Sequence, residues 1–160
     1  TMAHPDAYIA LLSRRTEITG HFGPSPFIYQ ELGDPRIHRL LSSQDIIGGL
    51  GTVTSVFTTA KLRNDNPKIY RAVFDALQEA QALIAQHKDW AAQIYVAEEK
   101  GPLSADAIRK LLELPTTLYS SVPLNTKKFA DFMVGTGALK TKPASWRDYY
   151  FPELYDQSGS

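Results

Sequence analysis

The chemistry-bearing side chains of this chain are densest at residues 17–27, which read Glu-Ile-Thr-Gly-His-Phe-Gly-Pro-Ser-Pro-Phe. His21 brings an imidazole that can donate or accept a hydrogen bond. Phe22 and Phe27 bring apolar walls, Pro24 shapes the turn, and Ser25 offers a hydroxyl. Such a set suits gripping a small molecule more than transforming one. The plainer reading is that His21 donates to a backbone carbonyl while Phe22 and Phe27 fill core. His4, at the start of an expected helix, and Thr52 and Thr54, beyond a glycine cluster, complete the candidate ligand-binding set. Nothing points to a catalytic residue, a metal or a cofactor. The histidines at 4, 21, 38 and 87 lie far apart without acids at ligand spacing, and Glu98-Glu99 reads as a solvated helix end.

An apolar-polar run over residues 17–22 predicts a short strand that stops in the Gly/Pro loop and so carries His21 to a sheet edge. Pro5 and Asp6 suit the first turn of a helix that continues through Leu12. A second short helix is expected over 26–32, stopped by Gly33-Asp34-Pro35, and a strand near 38–41. If residue 3 and His21 end parallel strands, His4 and His21 share one rim. The first helix then turns its N–H groups to the same place, which favours an anion. Gly48, Gly49 and Gly51 lack the lysine and following helix of a phosphate loop and read as a hinge or cleft loop. Residues 52–60, β-branched and aromatic, are the strongest strand candidate, with a weaker one over 116–121.

Beyond residue 66 the pattern is helical. Asn66-Pro67 opens a helix whose apolar positions, among them Ile69, Tyr70, Val73, Phe74 and Leu77, recur at helical spacing as far as His87. Further helices are expected over 89–99 with Trp90, Ile94 and Tyr95 inward, after Ser104, and after Asn125 with Phe129, Phe132 and Met133 inward and Gly137 as stop. The aromatic tail over 142–152 should pack on a surface. The expected fold class is therefore α/β with few strands and several C-terminal helices. So few strands leave a parallel sheet short of neighbours, and a missing partner accounts for that.

Composition is globular, with 43% hydrophobic and 21% charged residues, enough for a core in a chain of 160. The 17 basic and 17 acidic residues cancel, which removes the bulk electrostatic case for nucleic acid or an anionic membrane. The pairs Arg14-Arg15 and Lys127-Lys128 read as solvated helix faces. The absence of cysteine excludes disulfides, thiolate zinc sites and cysteine nucleophiles. No apolar run approaches the ~20 residues of a membrane helix, and the first residues carry no signal-peptide pattern.

His4-Pro5-Asp6-Ala7 with residues 9–13, then residues 17–22 and Pro26-Phe27, resembles the solute-binding proteins of bacterial ABC importers. The subgroup is the nitrate/sulfonate/taurine type, whose fold also serves thiamine-precursor binding proteins. The similarity continues in Asn66-Pro67-Lys68 with Tyr70, in residues 129–133, Thr136-Gly137, residues 142–148 and Phe151-Pro152-Glu153, where it is most specific. The resemblance implies the C-terminal half of a two-lobed periplasmic-binding-protein fold of type II. Residues 1–52 would be part of the second lobe of the solute cleft, and residues 53–160 the crossover strand and the helices completing the first lobe. It also implies a missing N-terminal half that carries the export signal, and a periplasmic or extracytoplasmic location.

The function so implied is non-catalytic binding of a small anionic or organic solute and its delivery to an ABC permease. The partners are the solute, the permease membrane subunits, and the N-terminal half of the same protein or a second copy of the chain; nucleic acid is not among them. Two alternatives stand beside it: an enzyme of pyrimidine or thiamine-precursor synthesis on the same fold, using His21 in chemistry, and a dimerisation module that binds no ligand.

Overall fold

The computed structural model describes residues 2–13 and 18–160, so Thr1, the Arg14-Arg15 pair and the first residue of the 17–22 strand lie outside the described residues. The chain divides into two compact units, Thr1–Ser42 and Ser43–Ser160. The first holds helices α1 (His4–Ser13) and α2 (Phe27–Glu31), which pack on each other. Pro5 and Asp6 occupy the first turn of α1, and Ala7 and Ala10 are its buried residues. Arg36 ties the end of this unit together. Its guanidinium meets Asp34 at 2.8 and 2.5 Å and donates to the Leu12 carbonyl at 3.5 Å.

The second unit holds α3 (Ser43–Ile47), α4 (Ala60–Asp65), α5 (Pro67–Gln86), α6 (Lys88–Glu99), α7 (Ala105–Leu112) and α8 (Thr126–Gly135). Short 3₁₀ turns follow at Trp146–Tyr149 and Pro152–Leu154. Residue chemistry sets several starts. Thr59 Oγ1 accepts from the Leu62 N–H and opens α4, and Ser104 Oγ does the same for Ala107 in α7. Pro67 occupies the first turn of α5.

The expected α/β class is overturned, and with it the C-terminal half of a two-lobed type II periplasmic-binding-protein fold and its crossover strand, because no β-strand forms among the described residues. Residues 18–22, 38–41, 52–59 and 116–121 contain none. A β-branched run becomes a strand only when a neighbour accepts and donates along a ladder. Residue 52 begins such a pairing, its N–H donating to the Leu124 carbonyl at 2.9 Å. The return bond is lost, because the Leu124 N–H goes to the Thr52 side-chain oxygen, also at 2.9 Å. A hydroxyl thus takes the place of the second backbone acceptor and the ladder stops. Helix α4 begins at Ala60, the last residue of the 52–60 strand candidate.

The expected inward faces also change. Helix α6 meets α7 through Ala92 and Ile108, both buried. At ~100° per residue, burying Ala92 turns residues two positions away to the opposite side. Trp90 is accordingly 50% exposed, and Ile94 is exposed as well. Helix α8 buries Thr126 and Ala130, so Phe132 faces out at 70%. The buried positions fall to Ala92, Ile108, Thr126 and Ala130, while large apolar residues such as Trp90 and Phe132 stay exposed.

The aromatic tail packs as expected and closes the unit. Trp146 is buried, with Tyr150 and Tyr155 edge-on at 5.8 and 6.1 Å. Ser145 and Asp148 form a reciprocal cap around it. The Ser160 carbonyl accepts from the Thr126 N–H at 2.8 Å and the Lys127 N–H at 3.4 Å, satisfying the first turn of α8. At the other end, Arg63 of α4 and Tyr70 of α5 both donate to Glu153, from 2.6 and 3.2 Å.

Two predictions follow from this strap. A Cβ on Gly159 would lie 2.7 Å from the ring of Trp146, which is itself buried. Gly159→Ala should therefore cost about 1–3 kcal/mol in urea unfolding; an unchanged midpoint would show that the tail does not sit on Trp146. Partial burial opposes ionisation of Glu153, but the hydrogen bonds from Arg63, its own backbone N–H and Tyr70, together with the Arg63 charge, outweigh it and hold its carboxyl below the ordinary range. Because the folded value is the lower one, the tie stabilises the unit above the ordinary carboxylate range and is lost as pH falls through and below it. Glu153→Gln should flatten that acid limb in urea midpoints measured between pH 6 and pH 3.

Candidate functional site

The first unit gathers four side chains from separate stretches of sequence. Phe27 and Glu31 are the first and last residues of α2 and, four apart, share one face of it. Phe27 stacks on the His4 ring with centroids 6.1 Å apart and planes 27° apart. Glu31, only 4% exposed, places Oε1 2.6 Å from Nδ1 of His21. The other nitrogen of His21, Nε2, lies 3.0 Å from Nδ1 of His4. A chain of hydrogen bonds therefore runs from a buried carboxylate, through a half-buried imidazole, to an exposed one at the start of α1.

Chemistry assigns the directions. An ionised carboxylate can only accept, so His21 Nδ1 carries the hydrogen toward Glu31. Both nitrogens of His21 are then engaged within the protein. The ring nitrogen left for a solute belongs to His4, whose Nε2 has no hydrogen-bond partner among the described residues. His21 is held on both sides, and His4 presents the outward ring nitrogen of the pair.

The loop before α2 is shaped to this arrangement. Pro24 and Pro26 present their carbonyls to the N–H groups of Ile28, Tyr29 and Gln30. Gly23 lies against the His21 ring, where a Cβ would come within 2.7 Å of Cε1. Pro24 and Ser25 are exposed at the turn, and Phe22 is 78% exposed, neither core nor wall to the His21 ring.

Thr52 and Thr54 belong to the second unit. The Thr52 hydroxyl is occupied by the Leu124 N–H, while Thr54 is exposed. The glycine turn beside them is held by the chain's own donors: Asn125 Nδ2 donates to the Leu50 carbonyl and Lys128 Nζ to the Ile47 carbonyl, both at 2.7 Å. Lys127 pairs with Asp131 at 2.6 Å.

A groove of about 330 Å³ also lies in the second unit, lined by Arg63, Asn64, Pro67, Tyr70, Arg71 and Glu153. The Arg63 guanidinium rests over the Tyr70 and Phe151 rings, 5.4 and 5.3 Å from their centroids. Burial and then the neighbouring Glu153 charge push the Tyr70 phenol up. Both Glu153 oxygens are taken by Arg63 and Tyr70, and Arg71 is paired with Asp75. This cluster ties the tail down and offers a solute little.

Comparison of the chain with protein-family models, with curated proteins and with solved structures finds no match. The site therefore rests on its own geometry.

Sequence reasoning missed Glu31. The signal was present, because a glutamate four residues after Phe27 must fall on the face of α2 that Phe27 packs. Glu31→Ala leaves the His21 nitrogen without its acceptor and should cost about 1–3 kcal/mol in thermal or urea unfolding. Gly23→Ala should cost a similar ~1–3 kcal/mol by pressing on the same ring. If either variant unfolds like the parent, His21 is not held as described.

Proposed function

We propose that this chain is part of a non-catalytic solute-binding component of an ABC importer, and that His4 is a point of contact with a small anionic or organic solute. The observation that carries the reading is the 2.6 Å pairing of His21 with the buried Glu31, which presents a second, exposed imidazole in a fixed orientation. A held imidazole at the start of a ten-residue helix suits a carboxylate, sulfonate or nitrate. The resemblance of residues 4–27 and 129–153 to the nitrate/sulfonate/taurine type of binding protein supports the same class.

The binding is reversible and leaves the solute unaltered. The loaded protein then meets the permease membrane subunits outside the cytoplasm. The chain acts with the N-terminal half of the same protein or with a second copy of itself. Extended residues 53–57, where Phe57 is 92% exposed, and the exposed Ile69 and Val73 on α5 support a requirement for further protein cover.

A single held imidazole gives modest affinity, so nitrate or ethanesulfonate should bind the 160-residue chain with a dissociation constant on the order of 1 mM. Titration followed by nuclear magnetic resonance should show saturable shifts confined to α1 and residues 18–31. His4→Ala should weaken binding at least tenfold. Equal binding by that variant, or shifts centred elsewhere, would contradict the proposal.

A further inference from the structure

The hydrogen bonds that hold His4 also decide what its outward nitrogen can offer, and the geometry points to a site that takes up one proton with each small oxyanion it binds. This rests on the reading of His4 as the solute contact. With both rings neutral, the single hydrogen of His21 sits on Nδ1, directed at Glu31. Its Nε2 is then a bare acceptor, so the hydrogen in the 3.0 Å bond must come from His4 Nδ1. A neutral imidazole has one ring hydrogen, and His4 has spent it. His4 Nε2 is left as an exposed lone pair, which repels an anion's oxygen.

One proton from solvent reverses this. If His4 holds it, both His4 nitrogens carry hydrogens. If His21 holds it, His21 Nε2 donates to His4 Nδ1, and the hydrogen of His4 sits on Nε2. Either arrangement gives an outward N–H on a pair with one positive charge, the form an oxyanion requires. No bond of the solute is made or broken.

Among the described residues, the titratable and charged groups on the surrounding elements are Asp6 and Tyr8 on α1, Tyr29 and Glu31 on α2, and the Asp34–Arg36 ion pair beyond it. Glu31 faces the pair through its bond to His21, and the Arg36 charge is engaged by Asp34.

Nitrate and ethanesulfonate stay anionic from pH 5.5 to 8.5, so any pH dependence of their binding belongs to the protein. The test is titration of the 160-residue chain with each anion across that range, in cationic buffers. Affinity should fall about tenfold per pH unit on the alkaline limb, the slope of one linked proton. His4→Gln, which presents an amide N–H at every pH, should bind with no such slope. At pH 8, saturation with anion should move the His4 Nε2 nitrogen resonance of the parent chain from the unprotonated to the protonated range. Binding that is flat with pH, or a His4 resonance that does not move, would overturn the proton coupling while leaving His4 as a contact. No binding of either anion at any pH would overturn the contact itself, and the coupling with it.

Discussion

A carboxylate that is nearly out of water must find a donor, and Glu31 finds His21. Removing a buried charge from its partner costs far more than the pair gains in isolation, so the surroundings have to keep the two together. In the first unit this constraint sets everything local. Gly23 must lack a side chain to let the ring in, and α2 must carry its glutamate one turn after Phe27. With both nitrogens of His21 committed, His4 becomes the outlet of the chain of bonds. A buried acid thus speaks to solvent through two rings rather than directly.

The second unit is organised on a different principle. Its buried helix positions include the small residues Ala92 and Ala130, and a tail with few regular elements ties α4, α5 and α8 down. One end of that tail neutralises Arg63 through Glu153, and the other supplies the Ser160 carbonyl to the first turn of α8. Trp146 of the same tail is buried against Tyr150 and Tyr155. Large apolar residues at 53–57 and on α5 and α8 stay exposed.

Helices were legible where the signal was local. Pro5 with Asp6, Pro67 and Ser104 each act within one turn, and α1, α5 and α7 begin where those residues say. The glycine turn, the α2 segment and the packing of the aromatic tail followed from the same kind of chemistry. Strands were misjudged because β-propensity describes a side chain's fit to a sheet and says nothing of whether a neighbour exists. At residue 52 a threonine hydroxyl displaced the backbone acceptor, an outcome that composition does not reveal. The inward faces of α6 and α8 were misread because size was taken as burial, whereas the contacts went to alanine and threonine. At the candidate site His4 and His21 could be named from sequence, but their order could not. Only the position of Glu31 shows that the inner ring is His21 and that the outer, available one is His4.

The account turns on which nitrogen of His21 carries hydrogen when the ring is neutral. Free histidine favours the Nε2–H tautomer, and the bond to Glu31 demands the Nδ1–H tautomer instead. Nitrogen-15 imidazole spectra of the unliganded chain at alkaline pH measure this directly. The account predicts a protonated Nδ1 and a bare Nε2 at His21, reverting toward the free-histidine tautomer in Glu31→Ala. A neutral His21 found as Nε2–H in the parent chain would contradict it.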